Sequence, residues 1–330
     1  MNAHSLRQLL APCFLSFALA LTGRAALEKP LLVPGPGIEL AGSKGKFDFL
    51  QVDEARHRLL ASHEVDGTAD FFDLDTQRLL ARVKLGTVVD IVPDPQVNRY
   101  FASVQGEQIV AVIDATRFEV TATIKLDGEL DAILFNPKNR RVYVAHDNGT
   151  HLWGIDADTA KVVATIEIPG APECMVYDKT ADRIYLAIKT TSEIVVINPN
   201  TDKVEAHWPT APTKGPHGVA FDPASGRLFA AGDNGQLAVF DTKTGKLIDT
   251  VTGIALKVDQ IAFDPSTKRV YCAAADWMSV VQETAEGAVF LGNVKTAATA
   301  RNVAIDPKTH ALWTTFTDGT NAYAKSWLLP

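Results

Sequence analysis

Cysteine is nearly absent from this chain: there are 3 in 330 residues. That excludes a small disulfide-stapled scaffold. Basic charge is also short, with 32 Lys and Arg against 39 Asp and Glu and a net charge of −7. No broad basic footprint for nucleic acid or anionic lipid follows from such a balance. Several motifs are missing as well: GxSxG, the P-loop, a GxGxxG opening a helix, and CxxCH. Their absence removes the common signatures of serine hydrolases, nucleotide binders and c-type haem proteins. The long apolar run, Leu9 to Leu21, is too short to span a bilayer comfortably. Arg7 precedes it, and Ala18-Leu19-Ala20 or Gly23-Arg24-Ala25 offers a small-residue cleavage site. Residues 1–25 therefore read as a secretory signal, with Cys13 placed too early for a lipoprotein. Loss of Arg7 and Arg24 brings the mature chain, residues 26–330, to a net charge of about −9. The expected location is periplasmic or secreted, with no transmembrane segment in the mature chain.

What is abundant is a repeat. An apolar run ends in Asp or Asn, Arg follows four or five residues later in most units, and a second apolar run begins. The turn residues are Asp53, Asp94, Asn136, Asp178, Asp222, Asp264 and Asp306, at intervals of 41, 42, 42, 44, 42 and 42 residues. A period in the low forties with four short strand patterns per unit predicts a β-propeller. The fold class is all-β: one domain of seven four-stranded antiparallel blades.

Each unit holds strands A to D, counted from the channel outward. In the third, A is Asp131–Phe135, B is Val142–Ala145, C is Leu152–Ile155 and D is Val162–Ile168. The C–D turns carry their own phrase, as in Asp156–Thr159–Lys161 and Asp241–Thr244–Lys246, which suits Asx-turns. Beyond their first position the A strands are almost all apolar, with small residues such as Ala220, Ala262 and Ala304 suited to the narrow end of the wedge. The seventh unit stops after its C strand. Residues 26–40 carry strand-like pieces, Leu31-Leu32-Val33 and Ile38-Glu39-Leu40, and are expected to supply the missing outer strand and close the ring. Cys174 and Cys272 fall two blades apart and read as unbonded, buried hydrophobes.

The segments Arg141-Val142-Tyr143-Val144-Ala145 after Asn136-Pro137, Arg183-Ile184-Tyr185-Leu186-Ala187, Arg227-Leu228-Phe229 after Asp222-Pro223, and Arg269-Val270-Tyr271 after Asp264-Pro265 carry a likeness. The chain resembles the YVTN family of seven-bladed propeller repeats over all seven units. The Asn that closes the family motif is replaced by His146 in unit three and Ile188 in unit four. The resemblance implies an exported bacterial propeller of unassigned activity.

Chemistry concentrates where the A strands begin, five residues before each turn. Those positions hold Asp48, Val89, Asp131, Glu173, His217, Asp259 and Arg301, with Asp90 one place later in unit two. In a propeller they converge at the channel mouth, and the B–C loops open on the same face with His63, Glu64, Asp66, His146 and Asp147 among them. The ligand-binding candidates are Asp48, Asp90, Asp131, Glu173, His217, Asp259 and Arg301. Glu173, His217 and Asp259, on neighbouring blades, form a candidate set for a divalent cation or for acid–base work. Gly215-Pro216-His217-Gly218 is similar to a phrase of streptogramin-lyase-type propellers, which use a metal, but Asp259-Gln260-Ile261 stands where that family has Glu-x-His. Three functions fit: binding of a small molecule or protein at the mouth without catalysis, which leads; a metal-assisted lyase or hydrolase; and a cell-envelope scaffold using its outer D strands. The protein is expected to be monomeric, with no nucleic-acid partner.

Overall fold

The computed structural model describes Met1 and residues 29–330. The signal expected over residues 1–25 lies outside the described residues apart from Met1. Among the described residues, no helix is long and apolar enough to cross a membrane.

Seven four-stranded antiparallel sheets form seven blades. Their A strands are Leu50–Asp53, Val88–Asp94, Leu130–Asn136, Pro172–Asp178, Pro216–Asp222, Gln260–Asp264 and Ala304–Ile305. Each packs on the A strand of the next blade, and the last packs on the first, which closes the ring. Blade three shows the match to expectation: its strands run Leu130–Asn136, Arg141–His146, His151–Asp156 and Lys161–Glu167.

The last blade is closed from the other end of the chain. Val33–Leu40 pairs antiparallel with Ala322–Leu328, as the incomplete seventh unit required. A bulge falls between Pro34 and Gly37, so the prolines of this outermost strand interrupt pairing on one side only. Leu32 and Leu40 are buried and anchor the segment to the blades on either side.

The turn residue between strands A and B has a physical task in every blade. All seven are buried, and each side chain accepts a hydrogen bond from a backbone N–H two or three residues on. Examples are Lys138 N to Asn136 at 2.9 Å and Ala224 N to Asp222 at 2.9 Å. The last turn residue before strand B is left-handed in each blade, non-glycine in six of the seven: His57, Asn98, Arg140, Asp182, Lys268 and His310 have φ between 52° and 59°. That conformation aims the side chain at the preceding blade. Four of them grip its turn acid: His57 to Asp306 at 2.8 Å, Arg140 to Asp94 at 2.9 Å, Lys268 to Asp222 at 2.7 Å and His310 to Asp264 at 3.0 Å. His57 and His310 thus hold blade junctions, a role their position at turns did not suggest.

Cys174 and Cys272 are buried and unbonded, as expected. Burial pushes both thiols up from their ordinary pKa.

Candidate functional site

Strand direction builds the site. Side chains alternate along an A strand, and seven strands converge, so each register position becomes a ring around the channel. The outermost ring holds Asp48, Val89, Asp131, Glu173, His217, Asp259 and Arg301. Within it, His217 bridges the acids of the two neighbouring blades. Its Nε2 lies 2.9 Å from Glu173 Oε2, and its Nδ1 lies 3.1 Å from Asp259 Oδ1 and 3.1 Å from the Asp259 carbonyl. Lys189 Nζ pairs with Glu173 Oε1 at 3.0 Å, and Arg301 Nε bonds Asp259 Oδ2. The expected trio of Glu173, His217 and Asp259 is therefore brought together, as a chain of ion pairs with a cation at each end. Both imidazole nitrogens already face carboxylates, so the trio does not present converging lone pairs. Among the described residues, no group of three or more His, Cys, Asp or Glu side chains is arranged to hold a metal ion.

The protonation pattern follows. Burial pulls the His217 pKa down, but its contacts with Glu173 and Asp259 outweigh that and hold it above the usual imidazole value. Burial alone would raise Glu173, yet His217 and Lys189 keep it below the ordinary carboxylate range. Asp48 and Asp131 have no such partner. Burial, followed by repulsion from Asp259 and Glu64, lifts Asp48 to about 8 against weaker help from Lys46 and Arg301. Asp131 is raised well above normal by burial and then by Glu173 and Asp48. The B–C loops add Asp147, raised by burial and by Glu173 and held by Gln105 at 2.8 Å, and Glu64, paired with Lys46 at 2.6 Å.

Two sequence candidates stand elsewhere. Asp90 belongs to the next ring inward and is 1% exposed. Its carboxylate accepts from Ile91 N at 2.8 Å, Ile133 N at 3.1 Å and Gln51 Nε2 at 3.3 Å, so it clamps blade two to blade three. The register shift between Val88 and Asp90 recurs at the same place in blades three, four and five, so Asp90 occupies the ring position that Ala132, Cys174 and Gly218 hold there. His63, expected in an open loop, is fully buried at the end of a B strand. It bonds Asp70 at 3.0 Å and the Gly45 carbonyl at 3.1 Å and stacks on Phe47. It locks the connection from the closing strand into blade one.

Sequence reasoning missed Lys46 and Lys189, the cations that tune the ring. Their signal was position: Lys46 lies two residues before Asp48, and Lys189 follows a B strand directly.

The second ring lies next along the channel under the mouth. It holds Phe49, Asp90, Ala132, Cys174, Gly218, Gln260 and Asn302. Gln260 donates to the Leu50 carbonyl at 2.8 Å and accepts from Leu50 N and Val303 N, joining blades six, seven and one. A side chain at Gly218 would meet the Asp259 carbonyl and Ile261 N at 2.9 Å, so only glycine lets these strands close up. Fold and site together define a seven-bladed propeller with an acid-rimmed channel mouth. No family model matches the chain, and no curated protein matches it.

Proposed function

We propose that this is an exported propeller of the YVTN type, periplasmic or secreted after loss of residues 1–25. It binds a cationic group at the channel mouth without catalysis. The bound group belongs to a small molecule or to a basic side chain of a protein partner. One observation carries the reading: Asp48 and Asp131 sit partly buried beside other carboxylates with no ion-pair partner among the described residues. Like charges held this close are unfavourable until a counter-charge or a proton relieves them. A bound cation does that, and the rigid strands around it need no rearrangement.

The test uses calorimetry and thermal melting with spermidine, Ca²⁺, Mg²⁺ and Zn²⁺ in turn. A cation that binds only the native state raises the melting midpoint by mass action. Glu173→Gln and Asp131→Asn should each remove most of that rise, whereas His207→Ala on the outer strand of blade four should not. No heat and flat melting curves with every cation would overturn the proposal.

A further inference from the structure

Outward from the mouth ring, the B–C hairpin of blade three carries two histidines. His146 ends the strand Arg141–His146, and His151 begins the strand His151–Asp156. Ala145 pairs with Leu152, so the two histidines face each other across the turn Asp147-Asn148-Gly149-Thr150. They lie one and two strands outward from the A strand, and both are half-buried. Their Nδ1 atoms are 3.5 Å apart, with the ring planes inclined by 57°.

The surroundings hold the pair in place. Trp153, two residues beyond His151, lies on the same side of its strand. Its ring centroid is 4.9 Å from that of His146 and 4.7 Å from that of His151. Trp153 is 3% exposed, and its indole N–H donates to Asp127 at 3.0 Å. Gly149 lets the His146 ring lie against the turn, where a Cβ would come within 2.1 Å of Nδ1. Among the described residues, neither imidazole has a hydrogen-bonding neighbour other than its partner in the pair.

That contact is a poor hydrogen bond, because an N–H donor usually sits about 2.7–3.2 Å from its acceptor. It suits a shared metal ion better. Imidazole nitrogens bind zinc at about 2.0–2.1 Å, which places two of them about 3.3–3.4 Å apart on one tetrahedral ion. The electrostatics agree. Burial and then His151 hold His146 below the ordinary imidazole pKa, although Asp127, Asp147 and Glu129 pull the other way. A neutral ring keeps its lone pair free, and the same three acids favour a cation nearby. Imidazole ligands suit zinc, copper and nickel, whereas calcium and magnesium prefer oxygen.

We propose that His146 and His151 chelate one late first-row divalent ion, zinc by their spacing, through their Nδ1 atoms. The pair supplies two protein ligands, and water or a donor atom of a bound molecule completes the coordination. The site is separate from the mouth and does not depend on the reading given for it.

Trp153 is a built-in reporter, since it touches both rings. In the tag-free full chain, Zn²⁺ should bind at one saturable site by calorimetry, and Cu²⁺ at the same site should quench indole fluorescence. Ca²⁺ and Mg²⁺ should not compete. His146→Gln and His151→Gln should each weaken both transition ions at least tenfold. Trp153→Phe should remove most of the quenching and leave zinc affinity nearly unchanged, a readout that does not rely on the histidine variants. Glu173→Gln, expected to weaken spermidine at the mouth, should leave zinc affinity unchanged, and His151→Gln should leave spermidine binding unchanged. The two sites thus fail separately. Absence of zinc and copper binding, affinity indifferent to both histidine variants, quenching that survives Trp153→Phe, or zinc binding lost in Glu173→Gln would overturn the proposal.

Discussion

At the scale of single residues, Asp48 is a carboxylate whose ionisation works against the folded state. Burial and the neighbouring Asp259 and Glu64 raise its pKa from 3.8 to about 8. In the unfolded chain it ionises near pH 4, so between pH 4 and pH 8 the folded state binds the extra proton. Stability attributable to this group therefore falls as pH rises through that window. Asp48→Asn keeps the shape and removes the titration, so it should stabilise the protein at pH 7 by on the order of 1–3 kcal/mol. At pH 4 the gain should vanish. Urea melts of both proteins at the two pH values check this, and a gain equal at both would refute the titration argument. The same residue couples binding to protons. A cation at the mouth favours the carboxylate form, so spermidine should release protons on binding at pH 7 and bind more tightly at pH 8 than at pH 6. Calorimetry in buffers of different ionisation enthalpy reads that release.

At the scale of elements, the ring depends on its closing strand and on the blade junctions. Leu32 and Leu40 are 4% and 5% exposed, and their burial is worth about 3–6 kcal/mol together before strand pairing is counted. Deleting residues 29–40 should lower the melting midpoint by about 10 °C or more, at roughly 2–4 °C per kcal/mol. Leu40→Ala alone should cost about 2–4 kcal/mol. An unchanged midpoint in the deletion would count against closure by this strand. The strand was legible in the sequence because the seventh unit ends after its C strand while Ile38-Glu39-Leu40 stands unassigned ahead of the first unit. The blades were legible because Asp53, Asp94 and their five counterparts mark a fixed period. The mouth ring was legible for the same reason: a constant offset from each turn picks out Glu173, His217 and Asp259. The junction contacts were not. His57 and His310 look like ordinary turn residues until the left-handed backbone shows which way they point. The facing of His146 and His151 escaped notice too, since their separation along the chain becomes a contact only when the B–C hairpin sets its register. His63 was misread because its partner Asp70 lies on the next strand, at a distance that strand pairing alone brings together.

At the scale of the whole molecule, these groups set opposing slopes on stability against pH. On the alkaline side are carboxylates with raised pKa values, Asp48 at about 8 and Asp90 at about 7. Each costs stability progressively as pH climbs above 3.8, since the unfolded chain ionises first. His57 and His217 act in the same direction. Burial lowers both, but contacts with Asp306 and Asp75, and with Glu173 and Asp259, raise them above 6.5 overall. Their contribution is complete below the unfolded imidazole pKa and is lost as pH rises through the folded one. On the acid side are carboxylates held low. Asp158 lies at about 2 through its bonds with Arg140 and Arg99, and Asp182 at about 2 because Lys138, Asn200 and Tyr177 outweigh its burial. Asp264 and Asp306 are also lowered, as bonds from Thr267, Ser266, Thr309 and His57 overcome burial. These four stabilise above pH 4 and lose that contribution as pH falls through their folded values. The two slopes meet at about pH 4, where the low carboxylates are ionised in both states and the raised ones begin to cost. The melting midpoint should therefore peak at about pH 4–5 and decline towards pH 8. His57→Ala should flatten part of the alkaline decline, because the junction between blades seven and one then carries no titrating imidazole. A midpoint that rises steadily from pH 5 to pH 8 would show that the buried acids of the channel do not hold their protons.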